Sequence, residues 1–495
     1  VFVAGLWVPV NHDEAWFLQV LERVSHGDVL HTDVFYGAGP LPVWAAWLAV
    51  RLIRPQGLVL RALDAVYFAT QLACGGWLLT RAGVGAEVIA LVWVAAVALA
   101  GPTWSAGGHY SATACVAVLG AAGAVLELPD GGVGWLVVAG AGVGAAAASK
   151  QSVGMAAGAG FAVVVAVEGS ASQWGALVVG AAAMFGACLL PVLLAGALRG
   201  YIREGYTNKS VYLAAGRISP WAGWRGARGL CRGQPIARRL GLALNAAVFA
   251  VPVLLATATL AGIAVVVAGD APSARLTAQL ALVLIGVAVA GMYPRTDAPH
   301  VQAMTPISLV ALALVGQAVA AGTGLTFPAG VGGLLLAAVA AVMAFGLAVS
   351  LDTVHRNREP SGLVNRAVPH FRGLPVTGYH PGGSPASPGD LRRLTDGTVF
   401  LLRPDAALWY LAADLVNPTP YDYPYCTVFG PGGEGRTVER IKSGDVTWVC
   451  LPGPSEGPLR PHQLEEFVLG SMTAVAATPA GSLYRLPSTG KPPSQ

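Results

Sequence analysis

Five acids, Asp13, Glu14, Glu22, Asp28 and Asp33, stand between two apolar runs near the start of the chain, in WVPVNHDEAWFLQVLERVSHGDVLHTDVFYGAGPLPVW (7–44). A carboxylate fixed at the mouth of a helical bundle, beside apolar walls, is suited to take a proton from a hydroxyl as that hydroxyl attacks carbon. Asp13 is the candidate for that role. Glu14 lies about 100° further round any helix that carries both, so it cannot easily address the same atom. It suits a support, or a ligand for Mg2+ or Mn2+, although no spacing in the loop singles out such an ion. His12, His26 and His31 with Asp13 and Asp33 match no zinc pattern.

A second cluster lies far away in sequence. MYPRTDAPHVQAMTP (292–306) interrupts two apolar runs with Arg295, Asp297 and His300. Charges at a helix boundary are costly unless solvated or used. Arg and His donors suit an anionic phosphate or pyrophosphate leaving group, while an ordinary interfacial turn would carry the same residues. Lys150, in ASKQSVG, suits a phosphate, or else is a lysine snorkelling from an inside loop.

These residues need elements to hold them. Asn11 and Glu14 have capping-box spacing, and Trp16, Phe17, Val20, Leu21 and Val24 then share one helical face, ending near Gly27. The pattern predicts a short amphipathic helix in the membrane interface. Asp13 and Glu14 also favour the positive end of such a helix with no chemistry involved.

The 495 residues are 55% hydrophobic and 11% charged, with a mean hydropathy of +0.60, which excludes an ordinary water-soluble enzyme. Apolar runs near 1–10, 38–53, 58–80, 86–101, 109–126, 133–149, 152–168, 173–198, 242–268, 275–293, 301–320 and 329–350 predict a polytopic α-helical membrane protein. Its domain of about 11–12 helices covers 1–350. Charge is denser in 351–495, with 13 basic and 13 acidic residues against 17 and 13 in the first 350, and 19 of the 34 prolines lie there. That segment predicts a small soluble α/β domain, with strands at 398–402 and 445–451 and helices at 404–415 and 461–472. GPGGEG (430–435) lacks the lysine and the strand-to-helix setting of a phosphate loop, so a turn is expected. Cys426 and Cys450 are a candidate disulfide if the domain faces an oxidising compartment.

Two hydrophilic loops interrupt the apolar pattern, 11–37 and 199–240. The second carries nine basic residues against one acid, Glu204, which the positive-inside rule places in the cytoplasm. If every run spans, seven crossings separate the loops and put them on opposite faces.

The acidic Asp-Glu pair after the first apolar run, followed by HTDVFYGAGPLPVW, resembles the first external loop of GT-C membrane glycosyltransferases, specifically the dolichyl-phosphate-mannose:protein mannosyltransferase-like group (family 39-type) of bacterial sequences. SKQSVG, YPRTDAPH and NPTPYDYP (417–424) resemble further segments of that group. The resemblance implies a GT-C-like bundle in the plasma membrane, and an inverting transferase that moves a sugar from a polyprenyl-phosphate-linked donor to an acceptor hydroxyl on a lipid, glycan or protein at the external face. Membrane lipids, and no nucleic acid, are then its other partners. Asp13 resembles the catalytic carboxylate, and Asp33 the Asp that precedes the Gly-Pro leading into the second helix. Tyr36, in the same segment, is carried over with Glu14, Lys150, Arg295, Asp297 and His300 as substrate contacts. The resemblance also puts 11–37, 199–240 and the C-terminal domain on one external face, against the crossing count, with 133–149 and 152–168 expected to fall short of two full crossings. A transporter or lipid flippase for cell-envelope glycolipids is the rival class, since intramembrane charge can line a path and the 64 glycines permit mobile helix packing. A non-catalytic scaffold would tolerate loss of Asp13.

Overall fold

In a computed structural model of the chain, the structure describes residues 10–100, 109–130, 132–230, 247–268, 271–324, 369–372, 374, 388–453, 459–478 and 480–487. The expected runs at 329–350 and most of 1–10 lie outside the described residues. The chain opens with α1 (His12–Ser25), α2 (Leu41–Leu52), α3 (Gln56–Arg81), α4 (Ala86–Ala100), α5 (His109–Leu126), α6 (Val133–Ala147), α7 (Gln151–Glu168) and α8 (Ala171–Leu194). Past α8 come a short α9 (Leu198–Ile202), a π-helical turn at Arg203–Thr207, α10 (Lys209–Ala215) and α11 (Pro220–Leu230), then α12 (Val251–Ala268), α13 (Pro272–Met292) and α14 (Ala298–Thr323). Among the described residues, seven helices are long and apolar enough to cross a membrane.

Paired side chains mark the two ends of the bundle. Arg81 at the end of α3 donates to Glu127 at 2.6 Å, and Arg275 near the start of α13 donates to Glu168 at 3.0 Å. These contacts share one end. Both ends of α2, by contrast, return to the acidic loop's end: Leu41 N donates to Ala148 O at 3.0 Å beside Lys150, and Gln56 Nε2 donates to Glu22 of α1 at 2.6 Å. Twelve residues rise only about 18 Å, too little to span a ~30 Å core. So α2 is too short to cross, and α4 and α6, at fifteen residues each, are also shorter than the seven spanning helices. The runs at 38–53 and 133–149 both form helices below spanning length, α2 and α6, while 152–168 forms the spanning-length α7. The two loops are in direct contact, for Glu204 accepts from Tyr36 N at 3.1 Å and lies 2.8 Å from His31 Nδ1.

Small residues set the tightest helix packing. Gly140 and Gly144 of α6 lie on the backbone of α8, where a Cβ on Gly140 would stand 2.0 Å from Leu177 O and one on Gly144 would stand 2.4 Å from Ala181 O. In lipid, where apolar burial gives helices little reason to associate, such close approach supplies the van der Waals contact that does.

The C-terminal domain is α/β, as expected, and richer than its sequence suggested. After α15 (Pro388–Thr395) come β1 (Phe400–Leu401), α16 (Ala406–Ala413), α17 (Cys426–Phe429), α18 (Gly433–Lys442), β2 (Trp448–Leu451), α19 (His462–Ser471), β3 (Thr473–Thr478) and β4 (Gly481–Arg485). The sheet order is β1-β2-β4-β3; β1 and β2 are parallel and the other pairs antiparallel. GPGGEG is a turn whose Gly430 and Gly432 have φ of +68° and +66°, and its end starts α18. No disulfide joins Cys426 to Cys450. Cys450 is buried in β2 with its thiol facing Thr478, while Cys426 heads α17. Ala407, Leu408 and Leu411 of α16 pack on Phe17, Leu18 and Leu21 of α1, so the domain sits on the acidic loop.

Candidate active site

Asn11 starts α1 by accepting Glu14 N on its side chain at 2.8 Å. The reciprocal half of a capping box is absent, because Glu14 points into the bundle and takes Arg61 of α3 in a two-pronged pair, Nε to Oε1 and Nη2 to Oε2, each at 2.7 Å. Both side chains are 1% exposed. With both oxygens committed to Arg61, Glu14 is not free to ligate Mg2+, Mn2+ or a sugar. Asp13, one residue earlier on the helix, keeps 44% of its side chain exposed and faces the space between the loops. Its walls are phenolic rather than aliphatic.

Across that space runs the α13–α14 connection. Asp297 caps α14; its two oxygens hold Arg295 Nε at 3.0 Å and His300 Nδ1 at 2.5 Å. Burial works to raise the Asp297 pKa, but His300 and Arg295 outweigh it and hold the carboxyl below its usual range. Burial likewise opposes charge on Arg295, and Asp297 more than restores it. The strand-like backbone contact of Ile218 with Pro294 and Thr296, at 3.1 and 3.0 Å, ties the basic loop to this turn. It brings up Tyr212, whose hydroxyl lies 3.4 Å from His300 Nε2.

Two lysines complete the positive side. Lys150 does not snorkel: its ammonium donates to Gly291 O at 2.7 Å and Ser111 Oγ at 3.0 Å and lies 5.5 Å from the Tyr110 ring centre. Burial first, and then the charge of Lys209, lower its pKa to about 8. Lys209, set 6.0 Å from the Tyr212 ring, is lowered by burial too. Asp13 and Arg295 both act electrostatically on Tyr212 and Tyr425, so both charges lie near these two phenols. Burial, with Asp13 and Asp297 adding to it, pushes Tyr212 up to about 12, so it stays a neutral hydrogen-bond donor.

The last wall comes from NPTPYDYPY. Arg23 of α1 binds this segment, donating to Thr419 O at 2.9 Å and Asp422 at 3.1 Å while its remaining donors hold Asp28 at 2.7 Å and Asp33 O at 2.7 Å. Asn417 also donates to Asp422 at 2.9 Å. Pinned there, the segment carries Tyr423 and Tyr425 to Asp13.

Of the residues singled out in the sequence, the structure brings together Asp13, Lys150, Arg295, Asp297 and His300. Asp33 lies apart, its carboxylate closing its own turn on Val29 N at 2.9 Å. Tyr36 is fully buried behind Trp16 and Phe17. Tyr110, Tyr212 and Tyr425 were not singled out in the sequence, while Lys209 was counted only among the basic residues of 199–240 and Tyr423 only within NPTPYDYP. The lone exploitable signal was in the NPTPYDYP segment, whose tyrosines repeat every second residue as in an extended strip.

The sequence matches no family model and no curated protein. Among solved structures, the chain is similar to the archaeal oligosaccharyltransferase AglB from Archaeoglobus fulgidus, solved with an inhibitory peptide and a dolichol-phosphate, at 12% identity over 89% of this chain, with a TM-score of 0.46. It spans 65% of that chain's length. It is also similar to ArnT from Cupriavidus metallidurans bound to undecaprenyl phosphate, at 15% identity over 99% of this chain and 96% of that one, with a TM-score of 0.42. A third likeness, to the arabinofuranosyltransferase AftD from mycobacteria, has 14% identity and a TM-score of 0.44 and covers 98% of this chain and 39% of that one.

Proposed function

We propose that the chain is an inverting GT-C-type glycosyltransferase that moves a sugar from a polyprenyl-phosphate-linked donor to an acceptor hydroxyl at the external face of the membrane. The observation that carries this reading is the meeting of one half-exposed carboxylate, Asp13, with the cations Arg295, Lys150 and Lys209 at the mouth of an apolar bundle. In this mechanism the polyprenyl chain stays among the helices while its phosphate meets the cations. Asp13 takes the acceptor proton, the acceptor oxygen bonds to the anomeric carbon, and the bond from that carbon to the phosphate oxygen breaks, leaving polyprenyl phosphate. Arg295 and the lysines neutralise the charge that builds on the leaving phosphate, and Tyr212 donates to it as a neutral phenol. The test is purified protein in nanodiscs with a polyprenyl-phosphate sugar and acceptor. Release of polyprenyl phosphate is expected; intact donor moved between leaflets would instead establish the flippase.

Lys150 gives this reading a pH signature. An ammonium is charged below its pKa and neutral above it, so its attraction for phosphate is present below about pH 8 and lost as pH rises through that value. An unshifted lysine would hold its charge to about pH 10. Polyprenyl phosphate, doubly ionised above a second pKa of about 6, does not titrate in that window. Its affinity, measured by titration calorimetry from neutral to alkaline pH, is expected to fall through pH 8 in the native protein and to lose that fall in Lys150→Met. Equal profiles would remove Lys150 from the site.

A further inference from the structure

The Tyr423 ring is clamped by His12 and Trp16 of α1, one on each side of Asp13 in the chain. It stacks on His12 at 5.6 Å between centroids with 15° between planes, and on Trp16 at 5.5 Å with 29°. The Tyr425 ring lies edge-on to it at 4.6 Å, and the Asp13 carboxylate acts on the Tyr423 phenol. We propose that Tyr423 is a positioning residue: its phenol donates to one oxygen of Asp13, leaving the other aimed at the acceptor, so that the C-terminal domain completes the active site. This rests on the reading of Asp13 as the base.

The geometry suits that task. An exposed aspartate samples several rotamers, and a base must lie within about 3 Å of the proton it takes. Two stacked rings remove the freedom of the phenol, and the phenol removes that of the carboxylate. Burial and then the charge of Asp13 push the Tyr423 pKa well above the usual tyrosine value, so it remains a donor throughout the working range. A transferase whose soluble domain merely capped the bundle would have no need of a side chain threaded between residues 12 and 16. The Arg23 clasp on Asp422, one residue before Tyr423, fixes where that side chain arrives.

Tyr423→Phe keeps the ring between His12 and Trp16 and deletes the hydroxyl alone. In the full chain in nanodiscs, kcat for polyprenyl phosphate release is expected to fall about tenfold or more, the worth of one hydrogen bond to a charged group, with donor KM and thermal unfolding unchanged. A second readout needs no turnover: carbodiimide coupling at Asp13, followed by mass spectrometry, is expected to speed up severalfold in Tyr423→Phe as the carboxylate is released. Unchanged kcat, or unchanged labelling of Asp13, overturns the positioning role and leaves the ring as packing. Asp13→Asn run in parallel separates the two ideas. If that variant is dead while Tyr423→Phe turns over normally, only the positioning role fails; if Asp13→Asn turns over normally, the base assignment fails.

Discussion

Asp13→Asn is expected to lower sugar transfer by about 100- to 10,000-fold, the range over which a positioned general base contributes. The substitution is nearly isosteric. Helix α1 does not depend on the charge, since its cap is Asn11 and its anchors are Glu14, Arg23 and the buried face of Phe17, Leu18 and Leu21. Binding of polyprenyl phosphate is expected to persist or tighten, because Arg295, Lys150 and Lys209 are untouched and a negative charge has left their neighbourhood. An effect on kcat without one on donor affinity marks an interaction used in the transition state only. Donor cleavage within about tenfold of the native rate would exclude Asp13 as the base.

How far this site could be read from sequence depends on the range of the forces that build it. Asp13 and the Arg295–His300 turn were visible because charge beside long apolar runs is costly and therefore conspicuous. Lys209, Tyr212, Tyr423 and Tyr425 were not, because they sit on a seven-residue helix and an irregular strip too short to stand out, and only tertiary clasps such as Arg23–Asp422 and Ile218–Pro294 deliver them. The bundle was legible from its hydropathy at nearly every helix. The run at 38–53 became the twelve-residue α2, below spanning length, because hydropathy counts apolar residues and not where their ends are tied. Arg54 and Gln56 return to Glu22, at 3.4 and 2.6 Å. For Glu14 the capping-box spacing was a local signal, and Arg61, a charge inside the apolar run at 58–80, was a stronger distant one. Charges there needed partners, and Arg61 and Asp64 both have carboxylate or imidazole neighbours, His109 Nδ1 standing 3.0 Å from Asp64.

That buried pair leads to the second large effect. Arg61→Met is expected to destabilise the protein by about 3–5 kcal/mol, because it strands the Glu14 carboxylate in an apolar surround with no counter-charge. Burial already raises the Glu14 pKa despite Arg61, which pulls the other way. Without the guanidinium the folded-state value must climb further above that of the unfolded chain. A carboxyl shifted in this direction stabilises the fold fully at low pH and loses that contribution as pH rises through the folded pKa. The variant's deficit should therefore grow from acid toward neutral pH, whereas the native protein, with the pair intact, should change less. Glu14→Gln combined with Arg61→Met removes both charges and is expected to recover most of the loss, so the double-mutant cycle yields a large coupling between the two positions. Unfolding in nanodiscs followed by tryptophan fluorescence across that pH range measures it, and equal deficits in the single and double variants would mean the pair is not what holds α1 against α3. If the coupling is found, catalysis should register it as well. Glu14 is the residue after Asp13, so an α1 that drifts from α3 carries the proposed base away from Tyr423 and Arg295, and kcat should fall in Arg61→Met and return in the double variant.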